Sequence, residues 1–217
     1  MLRVGRGRES LQLTDDEFES LARKYEDVVI DLGTGDGRFV VRTARERPKS
    51  LVIGIDPVQD AMAAAARRAS AKPSRGGVPN ALFLIASAEA LPAALSSQAS
   101  LVTVNYPWGG LLRTLVEPDP GGLRAVVGLL QPGGRLIALL NASVTDHRDY
   151  GERLGLPPLD EAHIDERLVP GWQESGLESV TWHRLEPDQE PSHHTTWGRR
   201  LVRGSNRSTI VVEGTRS

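Results

Sequence analysis

The sequence predicts an α/β fold on an open, mainly parallel sheet, and three stretches of chain carry that prediction. The apolar run Val28–Leu32 includes Asp31 and passes into a glycine-rich turn, Gly33-Thr34-Gly35-Asp36-Gly37, after which helical character resumes at Arg38-Phe39. A second run, Leu51–Asp56, closes on an acid. A third, Ala81–Ala86, leads into Ser87-Ala88-Glu89. Short apolar runs alternating with helical patterns read as parallel strands buried on both faces. Ligands in such sheets bind at the carboxyl ends of the strands.

The remaining elements follow in order. Residues 2–13 read as a short hairpin or arm with Gly5 and Gly7 at its turn. Thr14, with Glu17 three residues on, is a capping box, and its helix carries Phe18, Leu21, Ala22 and Tyr25 on one face. Helices are expected at about 37–47, stopped by Pro48, and at 58–71, stopped near Pro73. Strand four is Leu101–Asn105. A helix at about 121–131 is expected to end at Gln131-Pro132-Gly133-Gly134, with strand five at Arg135–Leu140. Residues 142–162 form a polar excursion without clean periodicity. A helix near 163–175, a strand near 178–185 and a last strand at Thr209–Val212 complete the chain. Beyond the arm this amounts to five parallel strands and a late antiparallel pair. The expectation is one domain over 1–217, with 142–162 and 186–208 as substrate-side insertions.

Composition bounds the function. A chain of 217 residues suits one domain with a large core. Its net charge of −2 excludes a whole-protein field that would hold nucleic acid, so any such contact needs local patches. Without cysteine, a disulfide framework and Cys-based zinc sites are excluded, which fits a reducing cytoplasm. No apolar run approaches the length of a membrane span, and the N-terminus lacks the apolar core of a signal peptide. No His/Asp/Glu spacing resembles a metal site, and no Ser-His-Asp order stands out.

The glycine spacing narrows the ligand. A dinucleotide loop, G-x-G-x-x-G, would need glycine at 38, where the chain has Arg38. Here Gly33, Gly35 and Gly37 alternate, with Asp31 ahead of them and Asp36 among them. Carboxylates near the ligand suit a cation rather than a pyrophosphate. S-adenosylmethionine (SAM) carries an ammonium and a sulfonium, and the loop looks like the first motif of SAM-dependent methyltransferases. The bland alternative is a glycine turn that binds nothing. Asp56, at the second strand end, is placed to accept from both ribose hydroxyls; capping the next helix is its other, compatible role. Ser87, Ala88 and Glu89 follow the third strand, where a methyltransferase usually holds the adenine. The expectation is therefore a seven-stranded SAM-dependent methyltransferase (Rossmann-like) fold.

Substrate signals lie in two places. The turn Asn105-Tyr106-Pro107-Trp108-Gly109 follows strand four, where base-nitrogen methyltransferases often carry an Asp/Asn-Pro-Pro-aromatic turn. The stretch Ser192–Arg200 brings a second indole, Trp197, in a polar and basic setting. Two indoles across one pocket would sandwich a flipped base; each taken alone can equally be a core plug. Trp172 and Trp182 read as packing residues. Basic residues cluster as Arg3, Arg6 and Arg8, as Arg67, Arg68, Lys72 and Arg75, and as Arg199, Arg200, Arg203 and Arg207. Such runs are usually solvated faces, but three of them in a chain of this charge suggest a face for phosphates. Arg207 is a candidate to hold the flipped nucleotide's phosphate, or else a surface arginine ahead of a strand.

Six segments together resemble one family. They are Asp31-Leu32-Gly33-Thr34-Gly35-Asp36-Gly37-Arg38, Gly54-Ile55-Asp56-Pro57, Lys72-Pro73-Ser74-Arg75-Gly76-Gly77, Ala88-Glu89-Ala90-Leu91-Pro92, Pro107-Trp108-Gly109 and Trp197-Gly198-Arg199-Arg200-Leu201. The chain resembles the aminoglycoside-resistance 16S rRNA (adenine-N1) methyltransferases of the Kam/Npm type, which modify adenine 1408 in the decoding site. The resemblance implies SAM as cofactor, the 30S subunit as partner, resistance to kanamycin- and apramycin-like drugs, and a monomer. It implies Trp108 and Trp197 as the clamp on the flipped adenine. It adds Pro57, Asn105 and Thr196 to the cofactor set of Asp31, Gly33, Gly35, Asp36, Asp56 and Ser87–Glu89. Rival readings are another RNA base methyltransferase, such as one acting on tRNA guanine N7, a small-molecule methyltransferase, or a non-catalytic ribosome-binding factor with a SAM fold.

Overall fold

The computed structural model describes residues 1–118, 120–142, 155–185 and 209–217. A hairpin of β1 (Leu2–Arg6) and β2 (Glu9–Leu13) opens the chain, turning at Gly7 with φ +70°. Next comes α1 (Asp15–Ala22), closed by the capping box: Thr14 N–H donates to Glu17 Oε2 at 2.8 Å and Glu17 N–H to Thr14 Oγ1 at 3.2 Å. The repeating unit runs β3 (Asp27–Leu32), α2 (Arg38–Glu46), β4 (Ser50–Asp56), α3 (Gln59–Ala69), β5 (Ala81–Ile85) and β6 (Ala99–Asn105). It continues with α4 (Gly109–Val116), α5 (Pro120–Val127) and β7 (Leu130–Asn141). A composite helix, α6, starts at Glu161–His163, passes through π-helical Ile164–Leu168 and ends as Val169–Glu174. The last strands are β8 (Leu177–Leu185) and β9 (Thr209–Arg216).

All the strands of the described residues join one sheet in the order β2-β1-β5-β4-β3-β6-β7-β9-β8. The five strands β5, β4, β3, β6 and β7 are parallel, and β9 runs antiparallel between β7 and β8. The chain winds outward from β3 to β5, then crosses back to β6. That reversal between β3 and β6 is the switch point at which an open α/β sheet forms its ligand crevice. Successive residues of one strand serve opposite cores. Val29 belongs to the core that includes Val40, Met62 and Phe83 on the α2/α3 side, while Ile30 belongs to the core that includes Phe18, Leu112, Leu123 and Trp172 on the other.

Among the described residues the sheet has nine strands, not the expected seven. The hairpin is not a free arm: β1 pairs antiparallel with β5 through Val4 and Leu84. Leu2 and Val4 are buried while Arg3 between them is exposed, the period-2 alternation of a strand with one face on a core. The helix expected at 121–131 ends at Val127, and Pro132-Gly133-Gly134 lies inside β7. There it forms an irregularity, with Gly133 at φ +76° and the β6–β7 register shifting between Ala99 and Leu101. Gly134 is required by packing, because a Cβ there would come within 2.8 Å of the Ala99 carbonyl. Helix α4 was not expected; its Gly-Gly start hides it, yet Leu112, Leu115 and Val116 are buried. The π-helical segment of α6 precedes Pro170, whose ring cannot accept an ordinary helical turn behind it. In the described part of the 142–162 excursion, Leu156 and Leu159 join the core. No helix among the described residues is long and apolar enough to cross a membrane.

Candidate active site

The carboxyl ends of β3, β4, β5 and β6 enclose a cavity of about 370 Å³, within the range of small-molecule sites. Asp31 forms its floor and is 1% exposed. Its Oδ1 accepts the Asn105 amide at 2.7 Å and the Thr103 hydroxyl at 3.0 Å. Burial pushes the Asp31 carboxyl up to about 6, the Asp56 charge adds to the rise, and polar contacts from Thr34, Asn105 and Thr103 oppose it. The Thr34 hydroxyl is near enough to act on that charge, but its geometry falls short of a hydrogen bond. It is the one buried side-chain polar atom without a partner among the described residues.

Asp56 ends β4 and is 9% exposed. Its Oδ2 accepts the Gly35 N–H at 2.9 Å and its Oδ1 the Val58 N–H at 2.8 Å. The carboxylate therefore ties the glycine turn to the start of α3. Each oxygen has a second lone pair to offer a hydroxyl in the cavity. The three glycines of the turn differ in duty. Gly37 (φ +70°) caps α2, and a Cβ there would fall 2.5 Å from Phe83 and 2.8 Å from Ala65. Gly33 (φ +73°) lies close under Leu111. Gly35 (φ +56°) has nothing within 4 Å of its missing Cβ, so its backbone lines open space.

Asp36 lines the cavity and accepts the Arg38 N–H at 3.1 Å, which turns the chain into α2. Pro57, Ser87, Ala88, Glu89 and Asn105 also line it. Glu89 reaches over the start of α4, where a Cβ on Gly110 would stand 2.8 Å from its Oε1. Trp108, 39% exposed, is on the rim as N-cap of α4. Every cofactor residue expected from sequence thus lines this one cavity, except Thr196, which lies outside the described residues. So do Trp197, Arg199, Arg200, Arg203 and Arg207.

Sequence reasoning missed Thr34, Thr103 and Tyr106. Thr103 was findable: it shares a face of β6 with Asn105 and stands in register with Asp31. Tyr106 gave no such signal, and its φ of +52° is seen only in the folded chain. Trp172 and Trp182 are packing residues as expected. Trp172 is fully buried with its indole N–H on the Leu115 carbonyl, and half-buried Trp182 donates to Asp165.

Two of the basic segments come together. Arg3, Arg6, Arg8, Arg67, Arg68, Lys72 and Arg75 are all exposed. The hairpin turn packs on α3, where a Cβ on Gly7 would sit 3.3 Å from that of Arg67. Gln59 secures it by donating to the Glu9 carbonyl at 3.0 Å and accepting from Arg3 at 3.3 Å. Val58 and Ala61 at one end of α3 line the cavity, with Arg67 and Arg68 in its last turn.

A buried carboxylate for a cation, a second for hydroxyls and an exposed indole at the mouth suit a nucleoside-bearing cation that meets an aromatic partner. Comparison with known proteins gives the family. Residues 3–216 match the family model described as NpmA: 16S rRNA (adenine(1408)-N(1))-methyltransferase. The 16S rRNA (adenine(1408)-N(1))-methyltransferase of Streptoalloteichus tenebrarius is 36% identical over 211 residues, 95% of this chain and 94% of that protein. The aminoglycoside resistance methyltransferase NpmB1 superposes with a TM-score of 0.86 at 40% identity, covering 100% of both chains. A Trp-to-Ala variant of the 16S rRNA (adenine(1408)-N(1))-methyltransferase from Catenulisporales acidiphilia, solved with cosubstrate SAM, superposes at 0.88 with 29% identity over 100% of this chain and 97% of that one. The chain belongs to the NpmA family of 16S rRNA (adenine(1408)-N(1))-methyltransferases.

Proposed function

We propose that this protein methylates N1 of adenine 1408 in 16S rRNA, on the assembled 30S subunit with SAM as donor, and so gives aminoglycoside resistance. It would do so as a single-domain cytoplasmic monomer. The observation that carries the reading is the cavity itself, in which Asp31 and Asp56 stand on the floor and Trp108 at the mouth. Its chemistry fits SAM: a buried carboxylate faces the ammonium, Asp56 accepts from the ribose hydroxyls, and the Ser87–Glu89 segment borders the adenine. The open space over Gly35 is of the kind a polar ligand uses.

SAM supplies an electrophilic methyl group, and the N1 lone pair of adenine attacks it without prior deprotonation. The chain therefore needs no general base; its work is to hold the base in line with the methyl. Extruding the base costs a few kcal/mol. Stacking on Trp108 and on Trp197 offsets it by ~1–3 kcal/mol for each face, with Arg207 holding the nucleotide's phosphate. The exposed arginines of the hairpin and α3, with Lys72, Arg75, Arg199, Arg200 and Arg203, supply the docking face.

The test is methylation of purified 30S subunits with labelled SAM, followed by reverse transcription of the 16S rRNA. N1 methylation blocks pairing, so extension should stop at adenine 1408. Label in tRNA but none in 30S subunits would overturn the reading in favour of a tRNA guanine-N7 enzyme. A folded protein that binds 30S subunits but not SAM would be a non-catalytic ribosome-binding factor.

A further inference from the structure

Tyr106 is the first residue past β6 and holds φ at +52°. A bulky side chain rarely adopts such a backbone, and a residue ahead of proline is biased toward extended conformations. Conformations of this kind persist where the surroundings hold them, and they cluster at ligand clamps. Its backbone and its side chain are both held. The Tyr106 N–H donates to the Leu139 carbonyl of β7 at 2.8 Å. The phenol shares a 3.2 Å hydrogen bond with the Thr209 hydroxyl. Thr209 is a fixed post: it is 3% exposed and opens β9 in register with Asn141 on one side and Leu185 on the other. Pro107, buried and rigid in φ, then passes the direction set at Tyr106 to Trp108 on the rim.

We infer that Tyr106 is a positioning residue for the acceptor side of the site: its phenol, bonded to Thr209, ties the turn that aims Trp108 to the point where the 186–208 connection re-enters the sheet. The inference deepens the proposed function and rests on it for its kinetic consequence. The bond joins the turn that carries Trp108 to the first residue of β9, so its loss leaves that turn held by its backbone alone on this side.

Tyr106→Phe removes the hydroxyl and little else. It should lower kcat for 30S methylation about three- to tenfold, the range of one hydrogen bond, with SAM affinity and 30S binding unchanged. Thr209→Val should lose as much, the double variant no more than either single one, and Thr209→Ser should keep the wild-type rate. Full kcat in Tyr106→Phe, or losses that multiply in the double variant, would overturn the inference. So would a parallel fall in SAM affinity and melting temperature, which marks a packing role. A second readout does not need the substrate. In fluorotryptophan-labelled protein, with the Trp108 line identified through Trp108→Phe, both single variants should move that ¹⁹F line in the same way. An unmoved line rejects the inference even if the true substrate is not 16S rRNA, and a wild-type protein inactive on 30S subunits with a moved line rejects only the proposed function.

Discussion

Asp31 and Trp108 line the same cavity, yet the first is 1% exposed and the second 39%. The side proposed for the cofactor is made of strand ends and a glycine turn whose backbone is locked by Asp56 and whose Gly33 and Gly37, but not Gly35, abut neighbouring side chains. The side proposed for the acceptor base rests on a strained turn and a rim indole that puts little into the core. On that proposal, fold and binding use the same interactions on one side and separate ones on the other. A substitution near SAM should disturb stability and affinity together, whereas one near the base should disturb catalysis alone.

Gly37 and Gly35 test the first half of that contrast and carry the largest expected effect. Gly37→Ala puts a Cβ against Phe83 and Ala65 at φ +70°. Overpacking and the left-handed backbone together cost about 2–5 kcal/mol of folding stability. Gly35→Ala, two residues away, meets nothing within 4 Å and should lose about 1–2 kcal/mol from its backbone alone. Thermal melts should separate the pair widely, with SAM affinity falling in both. Equal melting temperatures would mean that the turn does not pack as described.

Asp31 comes next, because it couples stability to pH. Its carboxyl is raised from 3.8 to about 6 by burial, so the folded form binds the proton more tightly than the unfolded chain. The stability this contributes is complete below about 3.8 and is lost as pH rises through about 6. The ligand-free protein should thus lose on the order of 2–3 kcal/mol from this group between those limits. Asp31→Asn should flatten that slope and melt higher than wild type at pH 7.5. The same change should weaken SAM binding by about 1.5–3 kcal/mol, since it removes a charged acceptor. Wild-type SAM affinity should itself fall as pH drops below about 6. A variant that melts lower and binds SAM normally would break the contrast at its central residue.

Trp108→Ala is the complementary probe. Removing one stacking face should cost ~1–3 kcal/mol in methylation, with SAM affinity, 30S binding and melting temperature near wild type; Trp108→Phe should retain part of the rate. If Trp108 were instead core, the loss would be about 3–5 kcal/mol of stability, and every function would fall together. Trp197→Ala should behave like Trp108→Ala.

The two sides also differed in how far the sequence revealed them. Asp31, Asp56 and the glycine turn were legible because strand, acid and glycine spacing are local patterns, and local pattern suffices where backbone geometry makes the site. Partners across strands were less so: Thr103 meets Asp31 only through the β3–β6 register, and Tyr106 meets Thr209 across 103 positions of chain. The strand count went astray for a related reason. Leu2, Val4 and their neighbours carry a strand's alternation, but nothing within residues 1–13 says that β1 will find β5. Pro132-Gly133-Gly134 misled in the opposite sense, because a turn signature also serves as an irregularity inside a strand.

The smallest expected effect lies farthest from the cavity. Arg67 and Arg68 close α3, beside the hairpin turn that carries Arg6 and Arg8. Their side chains are exposed and contribute nothing to the core, so charge reversal at Arg67, Arg68 or Lys72 should leave melting temperature and SAM affinity alone. If each cation neutralises one phosphate, each loss makes 30S affinity less salt-dependent, lowering the log–log slope by about 0.7–0.9. The deficit should be plain at low salt and shrink as salt rises, because the missing counterion release matters less there. Kinetically it should appear in KM for 30S subunits with kcat preserved, the reverse of the Trp108→Ala pattern. Affinity equal to wild type at every salt concentration would make this a solvated helix face, and docking would then fall to the arginines between 199 and 207.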